Sequence, residues 1–339
     1  MITGAGWRGA LGAGLLAAAL AWSTASLAQV TLRLATQTVA GTAQYDGAAR
    51  FAELVSAKTN GRVAVKVYGD GALGGDLQII SSLQQGSVEM ALMNAGLLNG
   101  IAREFAVVDF PFLFASEEEA AAVLDGPMGQ KLLGLLPPKG LVGLAFTELG
   151  FRHVHNSKHA VAGIADLRGL RLRAVQAPID IDTLNALGAN AVPLPFPDLY
   201  HAFEHKFVDG ATDPLITIEV LKFDEVQPYL TLTRHVYNPQ ILLIGKTSFD
   251  QLAPADRAAL QAAAVEARDY ERRIARERTA QALDKLKKTM RVTELDAAEE
   301  ARMREAVKPV VAKYAKIVGE PFVAEFNAEL ARLRGKKPN

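Results

Sequence analysis

The chain has 339 residues, half of them hydrophobic and 22% charged, with 37 Lys and Arg against 37 Asp and Glu. That balance argues against nucleic acid as a partner, and the length suffices for one large or two medium domains around a sizeable core. The absence of cysteine excludes a disulfide framework, a thiolate metal site and lipid attachment at an N-terminal cysteine.

The first residues have the form of a secretory signal. Arg8 is the only charge, Ala10–Trp22 is an apolar run, and Ser26-Leu27-Ala28 is a small-x-small cleavage site. The competing reading is an uncleaved anchor, but the apolar run is shorter than the roughly 20 residues a membrane span needs. Removing residues 1–28 takes away only Arg8, leaving 36 basic against 37 acidic residues.

From Thr31 onward strand and helix patterns alternate. "TLRLATQ" predicts a strand, "YDGAARFAELVSAKTNG" an amphipathic helix, "RVAVKVYG" a strand, "GDLQIISSLQQG" a helix and "VEMALMN" a third strand. The rhythm continues through "LVGLAF" and "QILLIG", and predicts an α/β protein with largely parallel sheets. Residues 254–288 predict one helix of roughly 50 Å, with Asp269 and Arg273 spaced for an i,i+4 pair. Charges of both signs interleave along it, as on a solvated helix bridging two lobes.

Two motifs invite a chemical reading. Gly69-Asp70-Gly71-Ala72-Leu73-Gly74 matches G-x-G-x-x-G between a strand and a helix, and Glu89 follows 20 positions after Gly69. Ribose recognition asks for an acid at the end of the next strand, however, and Asn94 stands there. A glycine-rich turn is the plainer reading; a secreted α/β enzyme with a nicotinamide cofactor at Gly69–Gly74 is the alternative function. His201 to His205 reads H-x-x-E-H, an inverted zinc-protease motif. With Leu199, Phe203 and Phe207 as its buried stripe, the histidines fall on a solvated face. His153 and His155 alternate on a short strand and could reach a cleft, but do not suffice for a metal. No G-x-S-x-G elbow or placed carboxylate pair is present, so neither an enzyme nor a cofactor is the expectation.

The segment from Asp166 to Pro214 is the most informative. Its strand, Leu170–Val175, places Arg171 and Arg173 on one side. A helix then stops at Gly188, "VPLPFPDLY" presents Phe196 on a Pro-rich turn, and a second turn lies at Asp213-Pro214. A guanidinium on a strand, an aromatic on a loop and a polar group beside a turn suit a small anion.

This segment, with "LRLATQ", residues 68–92, "FPFLF" and "FDEVQPYLTLTRH", resembles the extracytoplasmic solute-binding subunits of TRAP transporters, the DctP family, over nearly all of residues 30–330. The resemblance implies a two-lobed, type II-like periplasmic binding protein, with crossover strands near Glu148–Arg152 and Val236–Gln240 and a long helix across both lobes. On that basis residues 29–149 with 239–277 form lobe I, 150–238 with 278–330 form lobe II, and 331–339 are a tail. It implies that Arg173 clamps a ligand carboxylate, that Arg152 is a second cleft arginine, and that Phe196 packs on the solute. Gln176 occupies the polar position after the arginine, and Gln44, Tyr45 and Asn94 are the expected contributions of the other lobe. Where the family carries an amide this chain has Asp213, which would repel a second ligand carboxylate and accept from a hydroxyl or ammonium. A periplasmic, monomeric receptor handing a small organic acid to TRAP membrane subunits is the function implied.

Overall fold

The computed structural model describes residues 29–335; the expected signal segment lies outside the described residues. Two sheets organise them. The first has the order β2-β1-β3-β10-β4, from β1 (Val30–Thr36), β2 (Val63–Tyr68), β3 (Met90–Asn94), β4 (Leu141–Phe151) and β10 (Tyr237–Gly245). The second has the order β11-β9-β5-β8-β6-β7, from β5 (His153–Asn156), β6 (Arg171–Ala174), β7 (Asn190–Pro193), β8 (Gly210–Asp213), β9 (Tyr229–Leu232) and β11 (Arg291–Glu294).

The expectation of largely parallel sheets needs correction. β10 runs antiparallel to β3 and β4, and β5 runs antiparallel to β8 and β9. The remaining pairings are parallel. The cause is topological: β4 leads out of the first sheet and β10 leads back, so the two lie side by side in opposite senses. Alternating burial has the same period in both senses, which is why the pattern could not tell them apart.

The two crossings meet at Arg152, whose backbone N–H donates to the Val236 carbonyl at 2.8 Å. Around them five buried clusters form among the described residues. Leu32 and Leu34 on one face of the first sheet and Phe51 and Val55 of the helix Ala43–Lys58 pack with Leu260, Ala263, Ala264 and Ala267 of the helix Pro254–Thr289. The same helix buries Ala282 and Leu286 among Phe203, Phe223 and Leu230 of the second lobe. Its 36 residues span about 54 Å at the usual helical rise. It lies close to the helix Ala43–Lys58: a Cβ on Gly47 would stand 2.7 Å from Cβ and Cγ of Glu271. The Asp269–Arg273 pair does not form; Arg273 reaches Glu277, and Asp269 is taken by Arg268.

Met303 and Val307 pack in the second lobe as expected, but the last two helices, Lys308–Val318 and Glu320–Gly335, depart from the expected division. Val310, Tyr314, Val318, Val323, Phe326 and Leu330 enter the core that holds Phe105, Phe114 and Phe146 of the first lobe. The helix Glu320–Gly335 also takes in the first residues of the expected tail.

Candidate functional site

The lobes enclose a cavity between them. Its walls include Gln37, Thr38, Gln44, Asp76 and Asn94 from the first lobe and Arg173, Phe196 and Asp213 from the second; Arg152 and Gln240 come from the crossings. Carboxyl ends of parallel strands are where such folds place ligands, and Gln37, Asn94 and Arg173 all sit at or just beyond one.

Arg173 owes its position to β6. Arg171 and Arg173 share one side of β6: Arg171, at its first residue, is exposed and holds Asp209, whereas Arg173, nearer the carboxyl end, lines the cavity and is 4% exposed. Its Nε donates to the Leu194 carbonyl at 3.0 Å, and its guanidinium lies 5.6 Å from the centre of the Phe196 ring. Among the described residues that is its one protein hydrogen bond, and no carboxylate stands within ion-pair distance. Both terminal nitrogens therefore remain for a guest. Burial pushes its pKa down from the ordinary value, and the Asp213 carboxylate works against that shift.

Arg152 is built differently. Nε donates to Thr212 Oγ1 at 2.9 Å, Nη1 to Asn238 Oδ1 at 2.8 Å, and Nη2 to the Thr212 carbonyl and to Asp213 Oδ1, the latter at 3.3 Å. Asp213 in turn meets His155 Nε2 at 3.1 Å through its other oxygen. Burial works to raise the Asp213 pKa, but Arg152 and His155 together hold it below the usual carboxylate value. Beyond Asn238 the chain of polar contacts ends at Asp109, whose Oδ1 accepts from Asn238 Nδ2 at 2.9 Å. Burial, with the nearby Asp180, raises Asp109 to about 7.

The first lobe offers acceptors. Oxygens of Gln37, Asn94 and Gln240 are buried without a hydrogen-bond partner. Asn94 and Gln240 are register partners on β3 and β10, so two of these oxygens lie on adjacent strands. Gln44 donates to the Glu148 carbonyl at 2.7 Å and so braces the first crossing while lining the cavity. Asp76 opens the helix Asp76–Gln85; burial lifts its pKa to about 6, opposed by Arg173 across the cleft.

Not every expected residue is here. Gln176 lies with Gly71, Gly74, Pro195 and Pro197 along the seam between the lobes, outside the cavity. Tyr45 is half-buried with its ring against Gly69, and unlike Gln44 it does not line the cavity. Conversely, Gln37, Gln240 and Asp76 were not among the expected site residues; the signal for Gln37 was its place just beyond β1.

The tempting motifs resolve structurally. Glu89 is a partner of Arg33 at 2.7 Å, far from any ribose position. His201 and His205 are exposed, with His201 Nδ1 facing Glu204 at 3.4 Å. Phe207, expected in the buried stripe, is 58% exposed because the helix ends at Glu204. His153 faces a second cavity behind the crossings, lined also by Glu148, Arg234 and Arg276.

Comparison with known proteins follows this geometry. The bacterial extracellular solute-binding protein family 7, DctP, matches residues 34–317. The chain belongs to that family. It is 39% identical to the sugar acid binding protein DctPAm of Advenella mimigardefordensis, solved in complex with galactonate, with a TM-score of 0.88 over 90% of this chain and 98% of that one. It is 35% identical to the 2,3-diketo-L-gulonate-binding periplasmic protein YiaO of Escherichia coli, covering 80% of this chain and 83% of the relative. It is 32% identical to the C4-dicarboxylate-binding periplasmic protein DctP of Rhodobacter capsulatus, covering 94% and 96%. These DctP-family relatives are binding proteins rather than enzymes, and the family fold is the two-lobed one found here. No helix among the described residues is long and apolar enough to cross a membrane.

Proposed function

We propose that this DctP-family chain is a periplasmic receptor for a small organic acid bearing one carboxylate and hydroxyl or amino donors, which it delivers to the membrane subunits of a TRAP transporter. The observation that carries the reading is the division of the cavity: a guanidinium with two unengaged nitrogens on one side, three unpaired amide oxygens on the other. The fork of Arg173 matches a carboxylate, and the amide oxygens of Gln37, Asn94 and Gln240 match donors along the rest of the solute. Asp76 and Asp213 add two carboxyl groups to the walls, which disfavours a second solute carboxylate. Relatives named for galactonate and for diketogulonate fit this division better than the one named for C4-dicarboxylates.

Solute bridging the lobes would favour the closed form by its differential affinity, and the closed face is what the membrane subunits would recognise. The reading also takes residues 1–28 as a cleaved export signal and the receptor as a monomer. Calorimetric titration with galactonate, galactose and succinate tests the binding reading. Galactonate should bind at least tenfold more tightly than galactose, which lacks the carboxylate, and than succinate, which lacks the hydroxyls. Tighter binding of galactose or of succinate would overturn it.

A further inference from the structure

Two segments of unusual composition meet across the cleft mouth. The glycine-rich turn 69–75 belongs to the first lobe and the proline-rich turn 193–197 to the second. A Cβ on Gly71 would stand 2.7 Å from Pro197 Cγ, too close for a real side chain, and Gly71 has a φ of +62°. A Cβ on Gly75 would stand 3.8 Å from Pro195 Cβ. Glycine is what allows the two backbones this approach, and proline fixes φ so that its turn needs no ordering when the lobes meet.

The seam is joined covalently to the site. Gly75 precedes Asp76, and Phe196 sits between Pro195 and Pro197. A solute that engages Asp76 and Phe196 therefore draws together the residues beside them. We propose that this glycine–proline seam is the closing contact of the receptor: it is made only when the lobes shut, and parting it opens the way to Arg173. This deepens the binding reading above and rests on the lobes opening in the absence of solute.

The cysteine-free chain makes the test direct. The Gly75→Cys/Pro195→Cys variant places two Cβ atoms about as far apart as a disulfide requires. Both backbones are extended, with φ of −73° and −55°, so cysteine fits either position. Copper-phenanthroline oxidation of the ligand-free variant should remove both thiols without forming covalent dimers. X-ray scattering should then show a smaller radius of gyration for the oxidised form than for the same protein reduced. Thiols that stay free, or a radius unchanged by oxidation, would overturn the seam as the moving contact. Should the cysteine pair melt below the wild type when reduced, scattering of the ligand-free wild type answers the same question: a radius no larger than that of the shut lobes would overturn the seam as the moving contact. Melting of the wild type with galactonate is measured alongside. An unmoved melting temperature there counts against the binding reading alone, since the scattering comparison uses no solute.

Discussion

Arg152 Nη2 lies 3.3 Å from Asp213 Oδ1, and the pair is buried inside the second lobe and the crossings. The two cavity arginines are therefore unequal. Arg152 gives its donors to Thr212, Asn238 and Asp213, whereas Arg173 gives only Nε to protein. One is tied into the floor of the cavity; the other is the one the proposed reading gives to the solute.

Arg173→Ala is expected to bind galactonate 30-fold to several thousand-fold more weakly, the consequence of losing about 2–5 kcal/mol when one partner of a desolvated charge pair is removed. Its melting temperature should stay near the wild type. Arg173→Lys should also bind poorly, because an ammonium cannot reproduce the planar fork. Calorimetry showing less than a threefold change for Arg173→Ala would remove it from the site.

Arg152→Ala should instead act on stability. Removing it leaves Asp213 buried with His155 alone, a loss of about 3–5 kcal/mol for a broken buried pair. Denaturant titration measures this. An unfolding free energy within 1 kcal/mol of the wild type would show that the pair contributes nothing to the fold.

Asp213→Asn changes the charge balance of the cavity by one unit toward positive. The ratio of affinities for galactonate over galactarate, its dicarboxylate counterpart, should fall, because a like charge near a second carboxylate is gone. Dissociation constants for both solutes in both proteins give the ratio. If it does not move, Asp213 serves the fold through Arg152 and His155 and takes no part in choosing the solute.

Asp109 makes stability depend on pH. Its folded pKa, raised to about 7 by burial and Asp180 against the pull of Asn238 and Arg152, exceeds its unfolded value. Stability from this group is complete below the unfolded pKa and is lost as pH rises toward 7. Asp109→Asn mimics the protonated form, so the variant should match the wild type near pH 4 and exceed it by a few kcal/mol at pH 8. A melting-temperature difference that is flat from pH 4 to pH 8 would rule this out.

His201 and His205 stand in solvent on the second lobe, and the double alanine variant should keep both its melting temperature and its affinity for galactonate. Metal analysis of the wild-type protein should find no stoichiometric zinc. One zinc per chain, lost in the variant, would reverse the assignment.

Much of the site was legible because strand alternation is a strong constraint. β6 puts Arg171 and Arg173 on one side, and their order along it separates the one at the outer end from the one that lines the cavity. Asp213 was legible as a departure from its family, though its direction was not; that depended on Arg152 and His155, which reach it from a neighbouring strand and from the crossing. Gln176 and Tyr45 were misplaced because a turn or a helix start fixes proximity to the cleft without fixing which way the side chain leaves it. Gln240 was hidden for another reason. Its neighbours make β10 read as an apolar core strand, and its partner Asn94 is remote in sequence. Met303 and Val307 pack in the second lobe as expected, but the helices after them enter the first lobe's core, since an apolar stripe states that a helix is covered and says nothing of what covers it.

The helix Pro254–Thr289 has a mechanical consequence. Beyond Pro254 it contains no glycine or proline, so it offers no soft joint where the lobes part. Anchored in both cores, it works as a splint across two short ribbons, and a splint resists folding far more than it resists rotation about its own length. If the lobes part, the movement expected is a twist of one plate against the other along this axis rather than a bend within the helix.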